Sequence, residues 1–172
     1  FFFKQKTAYE ISTRDWSSDV CSSDLGCGTG INLIRWSTLF GDSVSYFGYD
    51  WTSSSQDILS LLREKKGLKI NGINYNFFDP KPLSHVQKTS LFITVTALEQ
   101  IGANYLPFLT KLLESPATRF VHFEPFFEDF NYLDPCDRAS IEYCKSRNYL
   151  HGFLEHLRQL EKEKIIKIII VK

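Results

Sequence analysis

From Gly26 onward the chain switches repeatedly between two hydrophobic periods. Residues 31–40 place apolar side chains at Ile31, Ile34 and, past Arg35, Leu39, close to helical spacing, and Gly41-Asp42 stops the run. Residues 44–50 are rich in β-formers and end in an acid, which predicts a strand. Serines 53–55 supply a cap for a helix over 56–66, with Ile58, Leu59, Leu61 and Leu62 on its buried side and Gly67 as its C-cap. A second strand lies within 69–78 and ends at Asp79-Pro80. Residues 90–95 are nearly all apolar, as a strand covered on both faces requires. A helix over 105–114 ends before Pro116, and a fourth strand over 119–124 is broken by Pro125. Residues 137–163 read as helix in two pieces meeting near Asn148, and 165–171 close the chain as a fifth strand. Strands alternating with helices predict an α/β fold with a mainly parallel sheet.

The first 25 residues stand outside this pattern. Phe3 to Ile11 and Asp15 to Leu25 match, residue for residue, the conceptual translation of a short-read sequencing adapter. Residues 1–25 are therefore set apart as an expected adapter-derived segment, and 26–172 are read as the partial domain that carries function. The segment holds three of the 20 basic residues and four of the 20 acidic ones, so the remainder stays near neutral. No basic run marks a phosphate-backbone footprint, which argues against a nucleic-acid partner. No apolar run reaches transmembrane length, so no membrane partner is expected. Beyond the segment, Cys27, Cys136 and Cys144 lack paired spacing. That fits a reducing, cytoplasmic setting and suggests no disulfide scaffold and no metal site.

The strongest local signal is Gly26-Cys27-Gly28-Thr29-Gly30 at the mouth of a helix. Glycines let the backbone bend tightly and approach a ligand, and the helix start behind them offers free N–H groups. Asp50 follows 20 residues after the last glycine, at a strand end, which resembles the spacing of an acid that receives ribose hydroxyls. The next strand also ends in an acid, Asp79, after Phe77-Phe78. A carboxylate there can accept from an adenine amino group beside an aromatic surface. The competing readings are a solvated turn for Asp50 and a turn or helix cap for Asp79.

The dinucleotide fingerprint needs a glycine where Ile31 stands. The G-C-G-T-G form, with Asp50 and Asp79, is similar instead to the class I S-adenosylmethionine-dependent methyltransferase superfamily, from Gly26 to about Glu124 and more loosely beyond. The resemblance implies a Rossmann-like three-layer sandwich and S-adenosyl-L-methionine as cofactor. It implies that Gly26, Cys27, Gly28, Thr29 and Gly30 approach the methionine part. Asp50 with Trp51 would serve the ribose side, and Phe78 with Asp79 the adenine. Thr96, Ala97 and Glu99, within 96–100, would line the sulfonium side. The family usually carries an acid two residues before the first glycine, where Asp24 stands. The first strand is therefore expected to be missing or imitated by residues 20–25. The family also adds an antiparallel strand beside the last one, so a short sheet with an exposed edge is expected.

The acceptor is read as a small molecule, with oxygen of a sugar or metabolite in view. The stretch 96–99 lacks the Asn/Asp-Pro-Pro-aromatic pattern of nucleobase amino-methyltransferases. His122 and Glu124 alternate with Phe123 and share a face, so they are expected as general base and orienter. The competing reading is a hydrogen-bonded core histidine and a loop-facing glutamate. Two alternatives to the methyltransferase remain at this level: a nicotinamide-dependent Rossmann oxidoreductase, and a non-catalytic scaffold of the same fold that binds cofactor.

Overall fold

Strand β2 (Cys21–Leu25) forms the centre of the five parallel strands of a single sheet. It is flanked by β3 (Ser45–Asp50) and β5 (Leu91–Val95), both parallel to it. Outside β3 lies β4 (Ile70–Asn74), and outside β5 lies β6 (Arg119–Phe123), again parallel. Beyond β6 come β1 (Phe2–Gln5) and β7 (Ile166–Ile169), giving the order β4-β3-β2-β5-β6-β1-β7. The structure is a computed structural model and describes residues 2–5 and 21–169. Most of the adapter-like text, residues 6–20, and residues 170–171 of the expected last strand lie outside the described residues.

Cys21–Leu25 form the central strand of the parallel set, all five residues buried, which is the second of the two alternatives expected for it. The expectation of a short sheet is corrected. The antiparallel strand expected to be lacking is supplied by β1. It pairs antiparallel with both neighbours, Phe2 opposite Val121 on one side and Ile169 on the other. Threading between β6 and β7 satisfies backbone groups that both strands would otherwise present at an open edge.

Helices cover both faces. On one side α1 (Ile31–Phe40) and α2 (Ser53–Lys66) enclose Cys27, Leu33, Val44, Tyr46, Leu59 and Ile70. On the other, α3 (Leu106–Glu114) and α5 (Phe153–Lys162) cover Phe47, Tyr49, Phe92 and Phe120. Strand β3 shows the two-residue alternation directly: Tyr46 joins the first core, while Phe47 and Tyr49 join the second. Gly48 is needed there because a Cβ would fall 2.5 Å from Leu59 Cδ1.

The helices form where the sequence places them, but the expected apolar faces are corrected in part: Ile31, Leu39 and Leu61 are exposed, and the buried side chains are Leu33 in α1 and Leu59 with Ser55 in α2. Thr52 occupies the N-cap position of α2 without a side-chain cap hydrogen bond, so the serines lie inside the helix and not ahead of it, and α2 ends on Gly67 in the left-handed conformation, its amide donating to the Arg63 carbonyl. In α5, Phe153, Leu154, Leu157 and Leu160 make one buried stripe. The long helical stretch does divide, into α4 (Pro135–Ser146) and α5, and Asn148 takes a positive φ of 51° in the break. Asp134 caps α4 by accepting from the amides of Cys136 and Asp137. No described helix is long and apolar enough to cross a membrane.

Candidate functional site

The parallel strands point their C-terminal ends the same way, and the chain reverses its direction of progress across the sheet between β2 and β5. Open α/β sheets bind ligands at such a crevice. Here β2 runs straight into the glycine bend, β3 ends on Asp50, and β5 runs into Thr96. A cleft of about 510 Å³ opens above them.

The bend is built by three left-handed glycines, with φ of +82° at Gly26, +50° at Gly28 and +76° at Gly30. Their reasons differ. A Cβ on Gly26 would fall 2.4 Å from Ala97 Cβ, and one on Gly30 would fall 2.3 Å from Leu59 Cδ2. A Cβ on Gly28 would meet nothing within 4 Å, because that position faces the cleft. The amides of Gly26 and Cys27 both donate to the Tyr49 carbonyl, at 2.7 and 3.1 Å, which anchors the bend to β3.

Asp50 joins the two halves of the site. Its Oδ2 accepts from the Gly28 amide at 2.9 Å, and its Oδ1 accepts from the Thr52 amide at 3.0 Å and the Thr52 hydroxyl at 2.8 Å. Burial alone would raise its pKa. The Thr52 amide and hydroxyl, the Gly28 amide and the Ser55 hydroxyl outweigh that and hold the carboxyl below its ordinary value.

Asp24 is the opposite case. It is 1% exposed, and neither carboxylate oxygen has a hydrogen-bond partner. Burial pushes its pKa up to about 7, and the charges of Asp50 and Glu124 push the same way. The Asn32 side-chain amide acts the other way and lowers it.

Of the residues expected from sequence, the cleft brings together Gly26, Gly28, Asp50, Trp51, Phe78, Thr96 and Ala97. Trp51 and Phe78 are 72% and 58% exposed, large apolar surfaces at its rim. Several expected residues lie elsewhere. Cys27 is buried among the α1–α2 core residues with its thiol toward the Gly28 carbonyl, and burial raises its pKa far above the ordinary value. Thr29 and Gly30 are not part of the cleft wall, and neither is Glu99. Asp79 is also absent from the wall. Strand β4 stops at Asn74, and Asn76 then accepts the Phe78 amide in a tight turn that leaves Asp79 exposed past the strand. The wall gains Tyr75 and Asn76 there and Thr52 and Ser55 beside Asp50, signalled only by adjacency to Phe77 and Asp50 in sequence; Gln100 lies in the expected 96–100 stretch.

The expected catalytic pair does not reach the cleft. His122 is 1% exposed, its Nδ1 lies 2.9 Å from the Thr94 hydroxyl, and its ring stands edge-on to Phe153. Burial pushes its pKa down to about 3, so the ring is neutral near pH 7. Glu124 turns to the loop after β5, its Oε1 accepting from the Ala97 amide at 3.1 Å and its Oε2 from the Glu99 amide at 3.3 Å. His122 thus looks into the core, and Glu124, one residue past the end of β6, looks toward the loop. Among the described residues no group of three or more His, Cys, Asp or Glu is placed to hold a metal ion.

No protein-family model and no curated protein sequence matches the chain. Solved structures do. A geranyl diphosphate methyltransferase in complex with SAM superposes with a TM-score of 0.56 at 15% identity, over 85% of this chain and 58% of that one. A SAM-dependent methyltransferase from Aquifex aeolicus gives 0.47 at 18% identity, over 56% of this chain and 50% of that one. PKMT2 from Rickettsia typhi in complex with AdoHcy gives 0.43 at 15% identity, over 56% of this chain and 18% of that one. The chain thus spans between half and three-fifths of the length of the first two of these, and it has the Rossmann-like α/β fold of the SAM-dependent methyltransferases.

Proposed function

We propose that this chain binds S-adenosyl-L-methionine in the cleft above β2, β3 and β5 and belongs to a methyltransferase acting on small molecules. The observation that carries the reading is the Gly28 amide bound to the Asp50 carboxylate beneath an open cleft. It puts a bare backbone bend and an ionised acid side by side at the ligand end of the sheet.

The residues present fit the group. Gly28 leaves room for close backbone approach. Asp50 Oδ2 accepts one hydrogen bond, from the Gly28 amide, and its second lone pair can take a ribose hydroxyl. Trp51 and Phe78 offer apolar faces for a purine, with Asn76 beside them as a polar edge. The cleft volume lies within the range of small-molecule sites. That the superposed geranyl diphosphate methyltransferase holds SAM supports the same reading.

When bound, the cofactor supplies an electrophilic methyl group on a sulfonium. The chain's own residues then bind and orient it: Asp50 on the hydroxyl side, the glycine bend along the amino-acid part, and Thr96 and Ala97 against the other wall. Ionised Asp50 favours a cationic ligand. Oxygen of a sugar or metabolite is the finer proposal for the acceptor. Neither His122 nor Glu124 serves it as base, since both are turned away from the cleft wall.

Titration calorimetry with S-adenosylhomocysteine and with NAD tests the assignment. The proposal expects saturable binding of the first, loss of at least about tenfold in Asp50→Ala, and no binding of the second. Preference for NAD would replace it with the oxidoreductase reading. Binding without methylation across a substrate panel would replace it with the scaffold reading.

A further inference from the structure

We infer that Glu124 is a positioning residue, one that holds the β5-side wall of the cofactor cleft by gripping the loop after β5 through its backbone amides. This rests on the cofactor reading above.

Thr96 begins that loop with φ +49°, a conformation that costs a β-branched residue strain. Such strain persists only where the surroundings over-determine it. Here the determinants are adjacent. The Thr96 amide donates to the Phe123 carbonyl at 2.9 Å, and the next residue, Glu124, takes the amides of Ala97 and Glu99 on its two oxygens. Phe123 and Glu124 thus hold the amides of Thr96, Ala97 and Glu99. Below the loop, Leu98 and Ile101 are buried in the core.

The consequence reaches the cleft through Ala97. The bend can pass only because Gly26 has no side chain, since a Cβ there would press on Ala97 Cβ at 2.4 Å. The position of Ala97 therefore sets the width between the glycine bend and the opposite wall, and Thr96, Ala97 and Gln100 are that wall. Burial raises the Glu124 pKa, while the amides of Leu98, Ala97 and Glu99 and the Thr94 hydroxyl lower it. A carboxylate is suited to this task because it offers two acceptor oxygens and no donor to oppose the amides.

Amide hydrogen exchange and S-adenosylhomocysteine titration on the 172-residue chain test the inference with Glu124→Ala and Glu124→Gln. Gln keeps one acceptor and turns an N–H toward the other amide. The expected result is faster exchange of the Ala97 and Glu99 amides in Glu124→Ala, confined to 96–101, with exchange in β2 and β5 unchanged. Affinity should fall by at least about tenfold, with Glu124→Gln intermediate in both measurements. Unchanged exchange at Ala97 and Glu99 overturns the grip. Faster exchange with wild-type affinity overturns the positioning role. If Glu124→Ala does not fold, the near-isosteric Gln variant carries the same comparison. The exchange measurement needs no ligand. A wild-type chain that ignores S-adenosylhomocysteine overturns the cofactor reading and the positioning role, and exchange still decides the grip.

Discussion

The backbone amide of Gly28 donates to Oδ2 of Asp50 at 2.9 Å across 22 residues of sequence, tying the end of β3 to the bend after β2. One carboxylate thereby organises its own turn, through Thr52, and the neighbouring strand's ligand-facing backbone. On the cofactor reading proposed above, stability and ligand affinity should be coupled at this residue.

Replacing Asp50 with Ala leaves the amides of Gly28 and Thr52 without their acceptor. The expected cost is about 1–3 kcal/mol in urea unfolding. Because the folded carboxyl lies below its ordinary value, its stabilisation is present above the unfolded pKa of about 3.8 and is lost as pH falls through the folded value. The acid limb of the stability curve should therefore flatten in the variant. An unchanged acid limb would contradict this.

The glycines should separate by mechanism. Gly26→Ala forces a methyl group onto Ala97 at positive φ, and should cost about 2–4 kcal/mol from strain and overpacking together. Gly28→Ala meets open space and should cost only about 1 kcal/mol of backbone strain. Its effect should appear as weakened S-adenosylhomocysteine binding, since its methyl group enters the cleft. Equal losses of stability in the two variants would refute the distinction.

Asp24 and His122 should oppose each other in pH dependence. Asp24 titrates near 7 when folded and near 3.8 when unfolded, so the folded state holds the extra proton and stability falls as pH rises across that window. His122 titrates near 3 when folded and near 6.5 when unfolded, so the unfolded state holds the extra proton and stability rises with pH across its window. The two contributions offset each other between about pH 4 and 6.5. Asp24→Asn should tilt the slope of unfolding free energy upward with pH, and His122→Gln should tilt it downward. Both variants tilting the same way would contradict these assignments.

Ser22 sits in the central strand, 1% exposed, with its hydroxyl lacking a hydrogen-bond partner. Removing a buried unpaired hydroxyl should stabilise, so Ser22→Ala should gain about 1 kcal/mol and raise the melting temperature. A loss of stability would mean the hydroxyl has a partner after all. The run Cys21-Ser22-Ser23-Asp24-Leu25 is a poor match to a central strand in propensity.

The parts legible in sequence were those encoded locally. Helix α2 with its glycine cap, the stripe of α5, the break at Asn148 and the acid closing β3 each follow from neighbours within a few residues. The misread parts depend on chain that is distant in sequence. Asp79 was placed at a strand end because the β-forming run continues through Phe78, yet the Asn76 side chain competes for the Phe78 amide and turns the chain two residues after the strand. Strand alternation put His122 and Glu124 on one face. Whether that face met cleft, core or loop depended on Thr94, Ala97 and Phe153, which lie 25 or more residues away.

Sequence alone determined the glycine bend, the acid one strand along and the alternation of strand and helix, because backbone freedom, side-chain charge and periodicity are properties of short segments. Tertiary structure decided that Gly28 and Asp50 bond directly, that β1 threads between β6 and β7, and that Glu124 grips a loop while His122 is sealed in the core. Those outcomes depend on which distant segments the sheet order brings into contact, since burial and hydrogen-bond partners are properties of neighbours in space.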